Sequence, residues 1–97
     1  MNRHASTNCA VAKTAALLSD TWTMLILRDL LKGDQRFCEL ERSLDGISTR
    51  TLTSKLKRLE EERILTKSDM HYRLTLQGKK IKKIIDAMEA WGSAALK

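Results

Sequence analysis

The chain has 97 residues, 42% of them hydrophobic and 31% charged, with a formal net charge of +6. That length allows one domain with a small core, and the composition is that of a folded globular chain, not a disordered one. No run of about 18 apolar residues occurs, which argues against a membrane-spanning helix, and the segment Met1 to Lys13 lacks the apolar block of a signal peptide, so a cytoplasmic protein is expected.

The charge is unevenly spread. Residues 1–47 hold six Lys/Arg and six Asp/Glu, whereas residues 48–83 hold eleven Lys/Arg and four Asp/Glu. A localised basic segment suits a polyanion, although on its own it could equally be a solubilising surface. Cys9 and Cys38 have no metal-like spacing and fit reduced thiols, and His4 and His71 are too isolated for a metal site. No nucleophile elbow, phosphate-binding loop or dinucleotide fingerprint is present. The sequence therefore implies no enzyme, metal or cofactor.

Val11, Ala12, Ala15, Ala16 and Leu18 predict a short amphipathic helix from Cys9 to Leu18, capped by Asn8. Ser19-Asp20 stops it and restarts the chain into a second helix, Trp22 to Leu31, whose apolar density marks it as the most buried, with Gly33 closing it. A third helix begins near Cys38, with Cys38 and Glu41 in capping-box positions and Leu40 and Leu44 pointing inward. Asp45-Gly46 makes a turn, Ile47 plugs the gap between helices, and Ser48 caps a fourth helix. Leu52, Leu56 and Leu59 form the core stripe of that helix. Opposite them, at about 100° per residue, stand Arg50, Ser54 and Lys57, flanked by Thr53 and Arg58, with Thr49 and Thr51 in the first turn. The run Glu60-Glu61-Glu62 closes the helix in solvent, with Arg63 as a candidate partner. Ile64–Lys67 and His71–Thr75, separated by Ser68-Asp69-Met70, predict a β-hairpin. A last helix runs from about Leu76 into the 90s with the stripe Ile81, Ile84, Ile85, Met88 and Trp91.

Two helices joined by a glycine turn, the second with a basic, hydroxyl-rich outer face, have the shape that fits a duplex major groove. Double-stranded DNA is therefore the expected partner. Arg50 is the best base reader, because guanidinium matches guanine O6 and N7. Thr49, Thr51, Thr53 and Ser54 suit phosphates or base edges, Ser48 sits at the positive helix end, and Lys57 and Arg58 lie further along, towards the DNA backbone. The fold class is mainly α with a small β-hairpin: one winged helix-turn-helix domain over 1–97, with the helix-turn-helix at about 38–62, the wing at about 64–75 and the C-terminal helix at about 76–96.

Several strings in this order resemble the HxlR-type winged-helix regulators, relatives of the MarR group. Cys9 with Val11-Ala12 is similar to that family's N-terminal Cys-Pro-Val segment, though Ala10 replaces the Pro. Residues 20–33, DTWTMLILRDLLKG, resemble its "KWTLLILREL…G" helix, with Thr21 in place of Lys. Arg36-Phe37 through Gly46-Ile47-Ser48, then Arg50, Leu52 and Thr53, resemble "RFSELRR…GIS-R-LT", and Tyr72 to Gly78 resemble "Y-LT-G". The hairpin is short, lacks the family's Pro-containing strand and has no Arg at its tip, which leaves Lys67, His71 and Arg73 as the wing's basic candidates and puts its groove contacts in question. The resemblance implies a homodimeric transcriptional regulator, most simply a repressor of a palindromic operator. Arg36 joins the DNA-contacting set, and Val11, Ala15, Ile84, Ile85, Met88, Trp91 and Ala95 form the dimer interface. It also implies redox or electrophile sensing by Cys9, whose alternative is a small buried hydrophobe. A winged helix can instead serve as a protein-interaction module of antirepressor type, or sense a ligand in the dimer cleft, and nothing in the sequence names an effector.

Overall fold

The computed structural model describes residues 9–96, so His4 and the expected cap Asn8 lie outside the described residues. Helix α1 (Ala10–Leu18) has Cys9 at its N-cap, with no side-chain capping bond there. It meets α2 (Thr21–Lys32) at Ser19-Asp20. Asp20 starts α2, because its carboxylate accepts from the Thr23 N–H at 3.0 Å and the Thr23 hydroxyl at 2.6 Å. That satisfies one of the orphan donors of a helix start. Ile26 and Leu27 on α2 are fully buried, while Trp22, Met24, Leu25 and Leu31 pack partly exposed against the same core.

Asp29 ties two elements, β1 and α3, to α2. It is 3% exposed; its Oδ1 accepts from Arg28 Nε and Nη2 at 3.1 and 3.0 Å, and its Oδ2 accepts from the Ser43 hydroxyl at 2.6 Å. Its backbone carbonyl accepts from Gln35 Nε2 at 3.2 Å. Gln35 belongs to β1 (Gln35–Arg36) and Ser43 to α3 (Phe37–Ser43).

Helix α3 begins at Phe37, earlier than the sequence pattern predicts, because Arg36 holds the cap position. The Arg36 N–H donates to Glu39 Oε1 at 2.7 Å, so Glu39 is the reciprocal partner and not Glu41. Cys38 therefore sits inside the first turn, exposed, and does not cap the helix. After Leu44 the chain turns at Gly46, whose φ of 94° is left-handed territory that a Cβ disfavours. Ser48 then caps α4 (Thr49–Glu61), accepting from the Thr51 N–H at 3.0 Å. Leu52, Leu56 and Leu59 are buried against α2 and the sheet, each contributing on the order of 2 kcal/mol by area.

The hairpin consists of β2 (Leu65–Ser68) and β3 (His71–Leu74), joined by the two residues Asp69 and Met70 at φ 52° and 69°. Ser68 belongs to the strand, not the turn, because two consecutive positive φ values make the tight turn whose twist matches the strands. Pairing is antiparallel, with Leu65 opposite Leu74 and Lys67 opposite Tyr72. A third strand that the sequence pattern does not predict, β1, pairs with β3 and places Gln35 opposite Tyr72 and Arg36 opposite His71. Two residues carry no alternation that could reveal a strand. Arg63 adopts φ 61° at the end of α4 and makes no ion pair with the acidic run; Arg58 does, with Glu62 at 3.8 Å.

The last helix is broken. Thr75 anchors α5 (Leu76–Lys79): its hydroxyl accepts from the Gly78 N–H at 3.1 Å and donates to the Arg63 carbonyl at 2.7 Å. Gly78 lies so close to the Ile64 carbonyl that a Cβ would collide with its oxygen. The chain then tightens, with Ile81 N–H reaching only back to the Gly78 carbonyl at 3.0 Å, before α6 (Lys82–Ala95) departs across α2. Ile81 is buried, but no residue of α6 is. Ile85 packs partly against the core, whereas Met88 is 50% and Trp91 64% exposed. Two helices followed by a two-helix turn motif, a small antiparallel sheet and a broken C-terminal helix make a winged helix-turn-helix.

Candidate nucleic-acid interface

Helix α4 places its leucine stripe inward, so helical rotation sends Arg50, Thr53, Ser54, Lys57 and Arg58 outward, and all five are exposed. Arg50 and Lys57 are seven positions apart, two turns, so they stand about 10 Å apart along one line of the helix. Neither forms an ion pair among the described residues, and Thr53 and Ser54 make no side-chain hydrogen bond there. Arg58 is partly occupied by Glu62. Lys55, on the flank, is half-buried and points the other way, into an ion pair with Asp20 at 3.1 Å. The Thr23 hydroxyl foremost, and then Lys55, hold the Asp20 carboxyl below the ordinary aspartate value against the opposing effect of burial.

The hydroxyls of the first turn behave differently from what counting them suggests. The Ser48 hydroxyl donates to Thr51 Oγ1 at 2.9 Å while accepting the Thr51 N–H. The Thr49 hydroxyl donates to Glu41 Oε2 at 2.7 Å. Ser48, Thr49 and Thr51 thus line the helix start with their hydroxyls engaged. Glu41, eight residues before Thr49, carries no sequence signal of this role because the link crosses a turn.

The wing candidates are individually held. Arg73 donates from Nε and Nη2 to Asp34 Oδ2 at 2.9 and 2.7 Å, an exposed pair that ties β3 to the end of α2. The Arg73 guanidinium holds the Asp34 carboxyl below its ordinary range. Lys67 lies over the Tyr72 ring, 5.5 Å from its centroid, and His71 Nδ1 is 3.0 Å from the Asp69 carbonyl oxygen. Arg36 is exposed at the junction of β1 and α3, across the sheet from His71.

The other predicted residues fall elsewhere. Val11, Ala15, Ile84, Met88, Trp91 and Ala95 are exposed on α1 and α6, and Ile85 is half-buried beside them. Cys9 is exposed at the start of α1, which corrects the alternative of a buried thiol. Among the described residues no cluster of His, Cys, Asp and Glu could hold a metal, and no single helix is long and apolar enough to cross a membrane.

Comparison with known proteins gives this geometry a family. A helix-turn-helix transcriptional regulator of Synechocystis is 35% identical over 92 residues, covering 88% of this chain and 68% of its own length. A MarR-family transcriptional regulator from Porphyromonas gingivalis superposes with a TM-score of 0.88 at 30% identity, covering 94% of this chain and 96% of that one. The transcriptional regulator YodB from B. subtilis in its reduced form superposes with a TM-score of 0.80 at 27% identity, covering 94% of this chain and 97% of that one. Its quinone-bound form gives 0.82 at 30% identity, covering 87% of this chain and 96% of that one. The family model described as HxlR-like helix-turn-helix matches residues 17–97. The chain belongs to the HxlR-like helix-turn-helix family, whose members are transcriptional regulators and not enzymes.

Proposed function

We propose that this regulator binds a palindromic operator as a homodimer and represses transcription by occluding the promoter. The observation that carries the reading is the outer face of α4, where Arg50, Thr53, Ser54 and Lys57 are exposed, aligned and without internal partners among the described residues. Arg50 contacts a guanine edge; Thr53 and Ser54 contact base edges or phosphates; Lys57 and Arg58 contact the backbone. The helix start at Ser48, Thr49 and Thr51 faces a phosphate. Arg36, Lys67, His71 and Arg73 border the flanking backbone. Arg73 contributes least, because Asp34 already neutralises it.

The dimer reading is supported by the apolar surface that one chain leaves uncovered: Val11 at 76% exposure, Met88 and Trp91. A groove of about 450 Å³ between α2 and α6, with Met24, Leu25, Ile85 and Met88 along it and Arg28, Lys32 and Glu89 also lining it, continues it. A two-fold pairing across α1 and α6 presents two copies of α4 to half-sites about 34 Å apart. Sensing through Cys9 is supported by its exposure at a helix start and by the likeness to YodB, whose structures include reduced and quinone-bound forms.

Retention of a duplex pool in a gel-shift titration tests the reading. Enrichment of one inverted repeat, with affinity falling steeply as salt rises, is the expected result. Binding that is absent, or equal for every sequence, contradicts it and favours a protein-interaction module.

A further inference from the structure

Glu41 is half-buried on α3, yet its carboxylate reaches the first residue of α4. The Thr49 hydroxyl fixes one oxygen, Oε2, at 2.7 Å, and the other oxygen has no hydrogen-bond partner among the described residues. An anion fixed beside the basic outer side of α4 repels phosphate, and Thr49 engages only one of its two oxygens, so the other is well placed at a duplex only where it meets a donor. The donors that a major groove offers are amino groups. An ionised carboxylate only accepts. Adenine sets its N7 acceptor beside its N6 amino group, which opposes a second carboxylate oxygen, whereas cytosine presents N4 with no acceptor of its own in the groove.

We propose that Glu41 is a specificity-determining residue that accepts from the N4 amino group of a cytosine in the operator half-site, with Thr49 as the positioning residue that aims it. The proposal rests on the DNA-binding reading above. It also alters that reading's residue list: Thr49 serves the interface through Glu41 and does not itself donate to DNA.

Random-site selection with the full chain and with Glu41→Gln and Thr49→Val tests it, circular dichroism showing that each variant is folded. The wild type enriches a half-site in which one position is cytosine. Glu41→Gln loses that preference by about tenfold at that position alone, and its affinity for random duplex rises because a negative charge is gone. Thr49→Val relaxes the same position and no other. If Glu41→Gln selects the wild-type half-site with unchanged preferences, or shifts every position alike, Glu41 only anchors Thr49 and the proposal fails. If the wild type enriches nothing, the DNA-binding reading falls first and takes this one with it.

Discussion

The hydroxyl of Ser43 on α3 donates to the buried carboxylate of Asp29 on α2 at 2.6 Å, across fourteen residues of sequence. Arg28 and the Gln35 side chain close on the same residue, so the first helix of the turn motif is locked to the central helix through Asp29. Truncating Asp29 removes the charge-assisted bonds that its carboxylate accepts from Ser43 and Arg28. Asp29→Ala is expected to lower stability by about 3 kcal/mol, on the order of 15 °C in Tm for a domain of this size. Thermal unfolding followed by circular dichroism checks it, and a shift of only one or two degrees would show that the acid is replaceable.

Asp20 gives stability a pH dependence. Its carboxyl is held below the ordinary aspartate value by Thr23 first and Lys55 next. A depressed folded-state value means that the ionised form stabilises the fold above the unfolded-state value, and that this contribution is lost as pH falls through the folded one. Asp20→Asn keeps a capping acceptor but removes the titration. The variant is therefore expected to be less stable than wild type at pH 6 and to converge with it below about pH 4. Urea titrations at the two pH values measure the difference; a gap that stays constant across the range would assign Asp20 no titrating role.

Much of this fold is readable from the chain, and the failures share a cause. The stripe Leu52, Leu56 and Leu59, the Ser48 cap and the Asp45-Gly46 turn are local signals, and the structure uses each of them. The third strand is two residues long, the break at Lys80-Ile81 keeps helical dihedrals, and the Glu41–Thr49 link spans a turn. None of these leaves a periodicity. The exposed candidates Arg50 and Lys57 are likewise legible, because burial of the opposite stripe dictates them. The engagement of Arg73 by Asp34 is not legible, since it joins residues thirty-nine positions apart.

Trp91 tests the two-fold pairing. At 64% exposure on α6 it is the largest side chain left in solvent. Wild-type protein is expected to sediment at twice its 11.0 kDa chain mass at micromolar concentration. Trp91→Asp is expected to sediment as a monomer and to lose operator affinity at least tenfold, as the two half-sites no longer bind together. A monomeric wild type would remove the dimer from the account.

Cys9 tests signal response. Mild oxidation with diamide is expected to reduce operator affinity of the wild type by roughly tenfold, within the usual range of coupling between sites. Cys9→Ser is expected to be insensitive, and Cys38→Ser to respond like wild type. Equal sensitivity in all three proteins would assign the effect elsewhere.

The most direct measurement is the affinity of Arg50→Ala for the selected duplex and for a scrambled one at fixed salt. Arg50 is exposed on α4 with no ion pair among the described residues, so its removal leaves the fold intact. The expected result is a loss of about 1–3 kcal/mol on the selected duplex, with the preference relaxed at one base pair and little change on the scrambled one. Equal affinity of variant and wild type for the selected duplex would contradict the placement of α4 in the groove.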